Sequence, residues 1–346
     1  MPWSMWAMMQ KFRTDMDTPH PMSLGRGRNP EERLLPGSCY RRIMSSLASA
    51  AQTTIRIVGA PLDLGQSRRG VDLGPTALRY AGLKSALTGL GYRVEDRGNI
   101  ETVERDTLAN GPGLDFLEPV VDACERIYEA TSQAVIDGSV PLVLGGDHSI
   151  AVGTVGGVSH RHRTGVFWID AHGDFNTPET SPTGNLHGMP LAALCGHGVP
   201  ELVNVGRPGA KLRIEDVVLF GVRDLDPGEQ ALIQQTGITA YTMRQIDERG
   251  LAPLATEALE RLDHVDLLHV SLDMDSIDPR EAPGVGTQVP GGLSYREGHL
   301  LMELIAEHGG IGSVDVVEVN PILDTRNQTA KLALGLLSSL FGRSIL

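Results

Sequence analysis

Cysteine is scarce here: three in 346 residues, at Cys39, Cys124 and Cys195, far apart and in no CxxC pair. That excludes a disulfide framework and a CxxC redox or zinc centre, and it fits a reducing compartment, so a cytoplasmic location is expected. Each cysteine reads as a small buried hydrophobe. Basic charge is also short, with 30 Lys and Arg against 43 Asp and Glu and a formal net charge of −13. Such a surface opposes nucleic-acid binding, which needs cations to neutralise phosphates. No run of roughly 18 apolar residues occurs, so no membrane span is expected. The glycine pairs Gly145–Gly146 and Gly291–Gly292 belong to neither a GxxxxGK[ST] nor a full GxGxxG pattern, so no nucleotide site is expected.

What remains is a composition of ordinary globular type, 41% hydrophobic and 21% charged. Residues 1–52 differ in character. They run from Met1, Trp3 and Trp6 into a segment rich in Pro, Gly and Arg, interrupted by Asp15, Asp17, Glu31 and Glu32. This part has neither a clean apolar run nor the acid-poor character of a transit peptide, and it reads as a disordered N-terminal extension. Residues 53–346 read as one folded domain.

Within that domain, short apolar runs alternate with helical patterns. The runs are Ile55–Val58, Leu142–Leu144, Val166–Ile169, Val217–Phe220, Ile238–Tyr241, Leu267–Leu272 and Val314–Val317. Their length and lack of alternation suit strands covered on both faces. Helical spacing predicts one helix after Gly74–Pro75 through Leu78, Leu83, Leu87 and Leu90, and others over Val120–Ile136, Arg296–Glu307 and Thr329–Phe341. The alternation predicts an α/β fold, a doubly wound, mostly parallel sheet flanked by helices.

Ligands in such sheets sit beyond the carboxyl ends of the strands. Three polar clusters fall there: Gly145–Gly146–Asp147–His148–Ser149, Asp170–Ala171–His172–Gly173–Asp174, and Asp273–Met274–Asp275. Alternate residues of extended backbone share a face, so Asp170, His172 and Asp174 can point together, and so can Asp273 and Asp275. Four carboxylates and two imidazoles converging would repel and raise one another's pKa unless cations intervene. A donor set without thiolate suits Mn²⁺, with Zn²⁺, Fe²⁺ and Co²⁺ as competitors. Six ligands exceed what one open catalytic metal needs, which favours two.

With these motifs in place, the chain resembles the ureohydrolases, and within them the arginases, over residues 54–346. The resemblance rests on GGDHS, DAHGDFN and SLDMDSIDP, and on Asp63–Gln66, Arg68–Val71, Asn176–Pro178, Ser181–Gly188, Gly221–Glu229, Gly286–Gly298 and Glu318–Pro321. It implies hydrolysis of L-arginine to L-ornithine and urea by a hydroxide bridging two Mn²⁺ per subunit. His148, Asp170, Asp174 and Asp273 would hold one ion. Asp170, His172, Asp273 and Asp275 would hold the other. It further implies that Asn176 and Thr183 bind the substrate carboxylate and that Asp226, with Glu229 beside it, binds the α-ammonium. His187 would shuttle protons, Asp174 would relay one to the leaving amine, Glu297 would orient the guanidinium, and Thr287 would lie near the metals. The family usually carries Ser where this chain has Thr183. Family members are usually trimers or hexamers, so a homotrimer or homohexamer is expected.

Agmatinases and guanidinobutyrases share the metal motifs but have no α-carboxylate to bind. The loop from Asn176 to Thr183, together with Asp226, is what separates them from the arginine reading. A metal-binding protein without activity, or a deacetylase of related architecture, is a rival of another kind. Without the family context, Glu297 would be an acid in the first turn of a helix, Asp224 and Asp226 turn residues, and His187 a turn histidine. His160, His162, His197, His264, His269, His299 and His308 are expected to be structural or exposed.

Overall fold

The computed structural model describes residues 53–108 and 113–344. The expected extension over 1–52, with Cys39, lies outside the described residues.

Among the described residues, eight strands form a single parallel sheet: β1 (Thr54–Ala60), β2 (Arg93–Asn99), β3 (Val140–Gly145), β4 (Thr164–Ile169), β5 (Val217–Val222), β6 (Thr239–Thr242), β7 (Leu267–Asp273) and β8 (Ile311–Val317). Their order is β2-β1-β3-β8-β7-β4-β5-β6 and every neighbouring pair is parallel. This is the doubly wound α/β architecture expected. β4 and β5 are buried along their whole length, which is why they read as unbroken apolar runs. Apolar side chains cluster between the sheet and its helices, including Phe167, Ile169 and Phe220 of the central strands.

The structure differs from the sequence reading in several places, and helices such as Pro227–Thr236 and Leu251–Glu260 are additional to those expected. β2 was not anticipated, because it is an edge strand whose side chains Arg93, Glu95, Asp96 and Arg97 face solvent or pair with charges. Charged edges of this kind discourage pairing with another chain. The single helix expected through Leu90 is two short helices, Gly74–Tyr80 and Leu83–Gly89. They are broken at Gly82, whose φ of 100° lies outside the helical region. The helix Ala151–Val158 was also missed, since AVGTVGGV is poor in helix formers. Tertiary packing overrides that weakness. Side chains at Gly153 and Gly157 would collide with Cys124 and Thr131 of the helix Leu117–Ile136, so glycine lets the two helices approach closely.

Four strands in the middle of the sheet, β3, β8, β7 and β4, carry the chemistry at their carboxyl ends. Gly146 begins the turn after β3, where a Cβ would overlap the backbone of Leu62. The close approach fixes the path of the chain into Asp147 and His148. Asp147 then accepts from the N–H groups of Gly65 and Ser149, at 2.8 and 3.1 Å, locking the turn.

Candidate active site

Strand ends bring together His148 from β3, Asp170, His172 and Asp174 from β4, and Asp273 and Asp275 from β7. The Nδ1 atom of His148 lies 3.1 Å from Asp170 Oδ2, 2.8 Å from Asp174 Oδ2 and 3.1 Å from Asp273 Oδ2. His172 Nδ1 lies 3.4 Å from Asp170 Oδ1 and 3.1 Å from Asp275 Oδ2. Two groups of ligand atoms result, His148–Asp170–Asp273 and Asp170–His172–Asp275, with Asp170 common to both.

Each side chain is held by its surroundings. The indole of Trp168 donates to Asp170 Oδ2 at 3.0 Å and stacks on the His148 ring at 4.1 Å. Asp273 Oδ1 accepts the N–H of Asp275, and Thr287 donates to Asp275 Oδ2 at 2.9 Å. Asp174 sits at φ 49°, a left-handed conformation rare for a residue with a side chain. Held there, its carboxylate reaches back to His148.

The acids cannot all ionise unaided. Burial and the neighbouring Asp170 push Asp174 up to about 6. Burial and the charges of Asp275 and Asp170 raise Asp273 well above the carboxylate range. Burial opposes charge on both histidines, but the carboxylates around them outweigh it and raise their pKa values. The buried Nδ1 of His148 has no aligned hydrogen bond despite three oxygens within 3.1 Å. An imidazole nitrogen facing converging carboxylates, with a second such cluster adjoining, fits divalent cations.

Above this base lies a cleft of about 230 Å³, lined among others by Asn176, Thr183, His187, Asp226, Glu229 and Thr287. Asn176 Nδ2 donates to Asp226 Oδ2 at 3.0 Å, and Asn176 Oδ1 accepts from Thr180 at 2.8 Å. The Thr183 hydroxyl accepts the N–H of Asn185 at 3.2 Å and faces the mouth. Asp226 and Glu229 open the helix Pro227–Thr236 as a capping box. Glu229 accepts the N–H of Phe175 at 2.9 Å, and burial pushes its carboxyl up to about 8. Among the described residues lining the cleft there is no Lys or Arg.

Glu297 is a correction. It is not in this cleft but at the third position of the helix Tyr295–His308, where it closes a capping box. Its Oε2 accepts from the Ser294 N–H and hydroxyl at 2.8 and 2.7 Å, and it lines a separate surface cavity with Tyr295, His299 and Arg343. A buried acid that the sequence reading left without a role stands at the site instead. Glu318 follows β8 directly, accepts from His187 Nδ1 at 3.0 Å, from Gln66 Nε2 at 2.8 Å and from the His148 N–H at 3.0 Å, and has φ 63°. The strand-end rule that picked out the other acids points to it as well. Burial opposes charge on His187, but Glu318 outweighs it and raises its pKa to about 9.

Of the other histidines, His264 pairs with Asp216, His269 with Asp315 and His308 with Asp263. Cys124 and Cys195 are free, and burial raises both thiols.

Comparison with known proteins agrees with this geometry. The model of the Arginase family matches residues 53–342. The chain is 51% identical to an arginase of Bacillus caldovelox, over 84% of this chain and 99% of that one. It is 48% identical to an arginase of Bacillus subtilis strain 168, over 85% and 99%. A solved structure of the Bacillus caldovelox arginase superposes with a TM-score of 0.83 at 50% identity, covering 85% of this chain and all of that one. With its parallel sheet and its strand-end cluster of carboxylates and imidazoles, this chain belongs to the arginase family of ureohydrolases and is an enzyme of that hydrolase class.

Proposed function

We propose that the protein hydrolyses L-arginine to L-ornithine and urea with two Mn²⁺ ions per subunit. His148, Asp170, Asp174 and Asp273 would hold one ion, and Asp170, His172, Asp273 and Asp275 the other. When bound, such a pair supplies Lewis acidity and lowers the pKa of water from ~15.7 to about 7.

The observation that carries the substrate reading is the Asn176–Asp226 contact at 3.0 Å. In the same cleft lie further uncharged donors (Ser181, Thr183, Asn185) and further acidic side chains (Asp224, Glu229). A head group carrying both a carboxylate and an ammonium matches such a seam, whereas a plain amine leaves the donors unpaired. Unpaired polar groups are what give selectivity against the analogue that lacks the group.

The chain's own residues then do the rest. Asn176 and Thr183 orient the substrate carboxylate, and Asp226 with Glu229 orients its ammonium. Acids around the base of the cleft, with Glu318 buried beside His187, favour the delocalised cation of the guanidinium. His187, kept protonated at neutral pH by Glu318, has a proton to give to the departing amine or to exchange with solvent. Asp174 is the other proton carrier in reach, since its carboxylate lines the same cleft.

The test is binding of the product and its decarboxylated analogue. Calorimetry on the Mn²⁺-loaded protein is expected to show L-ornithine binding at least tenfold more tightly than putrescine. Equal affinity, or preference for putrescine, would overturn the roles of Asn176 and Thr183 and favour an agmatine-type substrate.

A further inference from the structure

Behind His148, on the side away from the cleft, a line of polar side chains runs through the core between β7 and β8. His148 Nε2 lies 2.7 Å from Ser271 Oγ, and Ser271 Oγ donates to Asp315 Oδ1 at 2.6 Å. The other oxygen of Asp315 lies 3.2 Å from His269 Nε2, and His269 Nδ1 lies 2.7 Å from Ser313 Oγ. All five residues are at most 1% exposed. The strand register makes the line possible, since Ser271 pairs with Asp315 and His269 with Ser313 across parallel neighbours. So many polar groups in a core are retained at a cost in desolvation unless they are fully used.

The donor and acceptor roles follow from the chemistry. Burial opposes ionisation of Asp315, but His269 and the hydrogen bond from the Ser271 hydroxyl hold its carboxyl below the usual range. An ionised carboxylate only accepts, so the single hydroxyl proton of Ser271 goes to Asp315. Ser271 can therefore only accept from His148, and the Nε2 of that ring must carry a proton. The lone pair of the neutral ring is left on Nδ1, the atom that faces Asp170, Asp174 and Asp273.

We propose that Ser271 and Asp315 are positioning residues that fix the tautomer and plane of His148 so that it offers Nδ1 to a divalent cation. The inference rests on the two-metal reading of the site. Groups standing behind a metal-bound imidazole typically change metal affinity by about 10- to 100-fold. No comparable device backs His172, which is half-buried and for which no hydrogen-bond partner at Nε2 is found among the described residues.

The experiment is an equilibrium titration of the metal-free full chain with Mn²⁺, reading free ion by electron paramagnetic resonance. It compares the parent, Ser271→Ala, Asp315→Asn and Ser271→Thr, with thermal unfolding of each metal-free form alongside. The expected result is two ions in the parent, one of them about 10- to 100-fold weaker in Ser271→Ala and Asp315→Asn, and recovery in Ser271→Thr. The metal-free melting temperature of Ser271→Thr is expected to match the parent. Parent-like affinity for both ions in Ser271→Ala would overturn the inference while leaving the metal site standing. Equal weakening of both ions, tracking a fall in melting temperature, would also overturn it, as packing alone would then explain the loss. A parent chain that binds no Mn²⁺ would overturn the two-metal reading itself.

Discussion

The imidazole of His187 and the carboxylate of Glu318 meet at 3.0 Å, joining a loop residue beside the cleft to a buried acid at the end of β8. The pairing holds a protonated histidine at the edge of the cleft at neutral pH. A second contact holds the same turn, since the N–H of His187 donates to the carbonyl of Gly65 in the loop after β1.

The pair makes stability depend on pH. The pKa of His187 is raised to about 9 from an ordinary 6.5, so the folded state binds its proton more tightly than the unfolded chain does. The contribution is fully present below about 6.5 and is lost as pH rises through 9; a shift of this size corresponds to roughly 3–4 kcal/mol at most. Denaturant unfolding of the metal-free protein and of His187→Asn is expected to differ most below pH 6.5 and to converge above 9. A difference independent of pH would contradict the pairing.

Glu297 and Glu318 are expected to behave oppositely. Glu297→Ala removes half of a capping box at an exposed helix start, costing about 1 kcal/mol of stability and changing kcat/KM less than about threefold. Glu318→Gln removes the partner of His187 and is expected to lower kcat/KM by about 100-fold or more. Steady-state kinetics of the two variants decide between them, and a reversed order would restore Glu297 to the site.

Thr183 offers its hydroxyl at the mouth without a buried partner. Thr183→Ser keeps that hydroxyl and is expected to stay within about twofold of the parent. Thr183→Ala loses one hydrogen bond to a charged carboxylate, worth about 1.5–3 kcal/mol, and is expected to raise KM for L-arginine about tenfold with little change in kcat. An unchanged KM in Thr183→Ala would remove this residue from the carboxylate site.

Chelation is expected to lower the melting temperature. Without cations the raised acids Asp174 and Asp273 remain crowded beside Asp170, and each ion at a hundredfold excess over its Kd stabilises by about 2.7 kcal/mol. Thermal scans with EDTA and after readdition of Mn²⁺ test this. A melting temperature unmoved by either would contradict a site that binds metal only when folded.

Much of this was legible in the sequence because fully buried parallel strands leave apolar runs, and the acids and histidines follow those runs directly. Asp170, His172, Asp174, Asp273 and Asp275 are adjacent in sequence to β4 and β7, so local spacing was enough to group them. The separation of Glu297 from Glu318 was not a matter of spacing. Ser294 three residues before Glu297 is a capping-box signature, and Glu318 directly follows Val314–Val317, so both signals are present in the sequence. The line His148–Ser271–Asp315–His269 was out of reach. It depends on the register of β7 against β8, which long-range pairing sets and no local pattern records.

Urea release from L-arginine and from agmatine, measured before and after Mn²⁺ loading, tests the central claim most directly. The account predicts manganese-dependent urea from L-arginine with agmatine near background. Urea from agmatine alone, or silence on L-arginine with both ions bound, would contradict it.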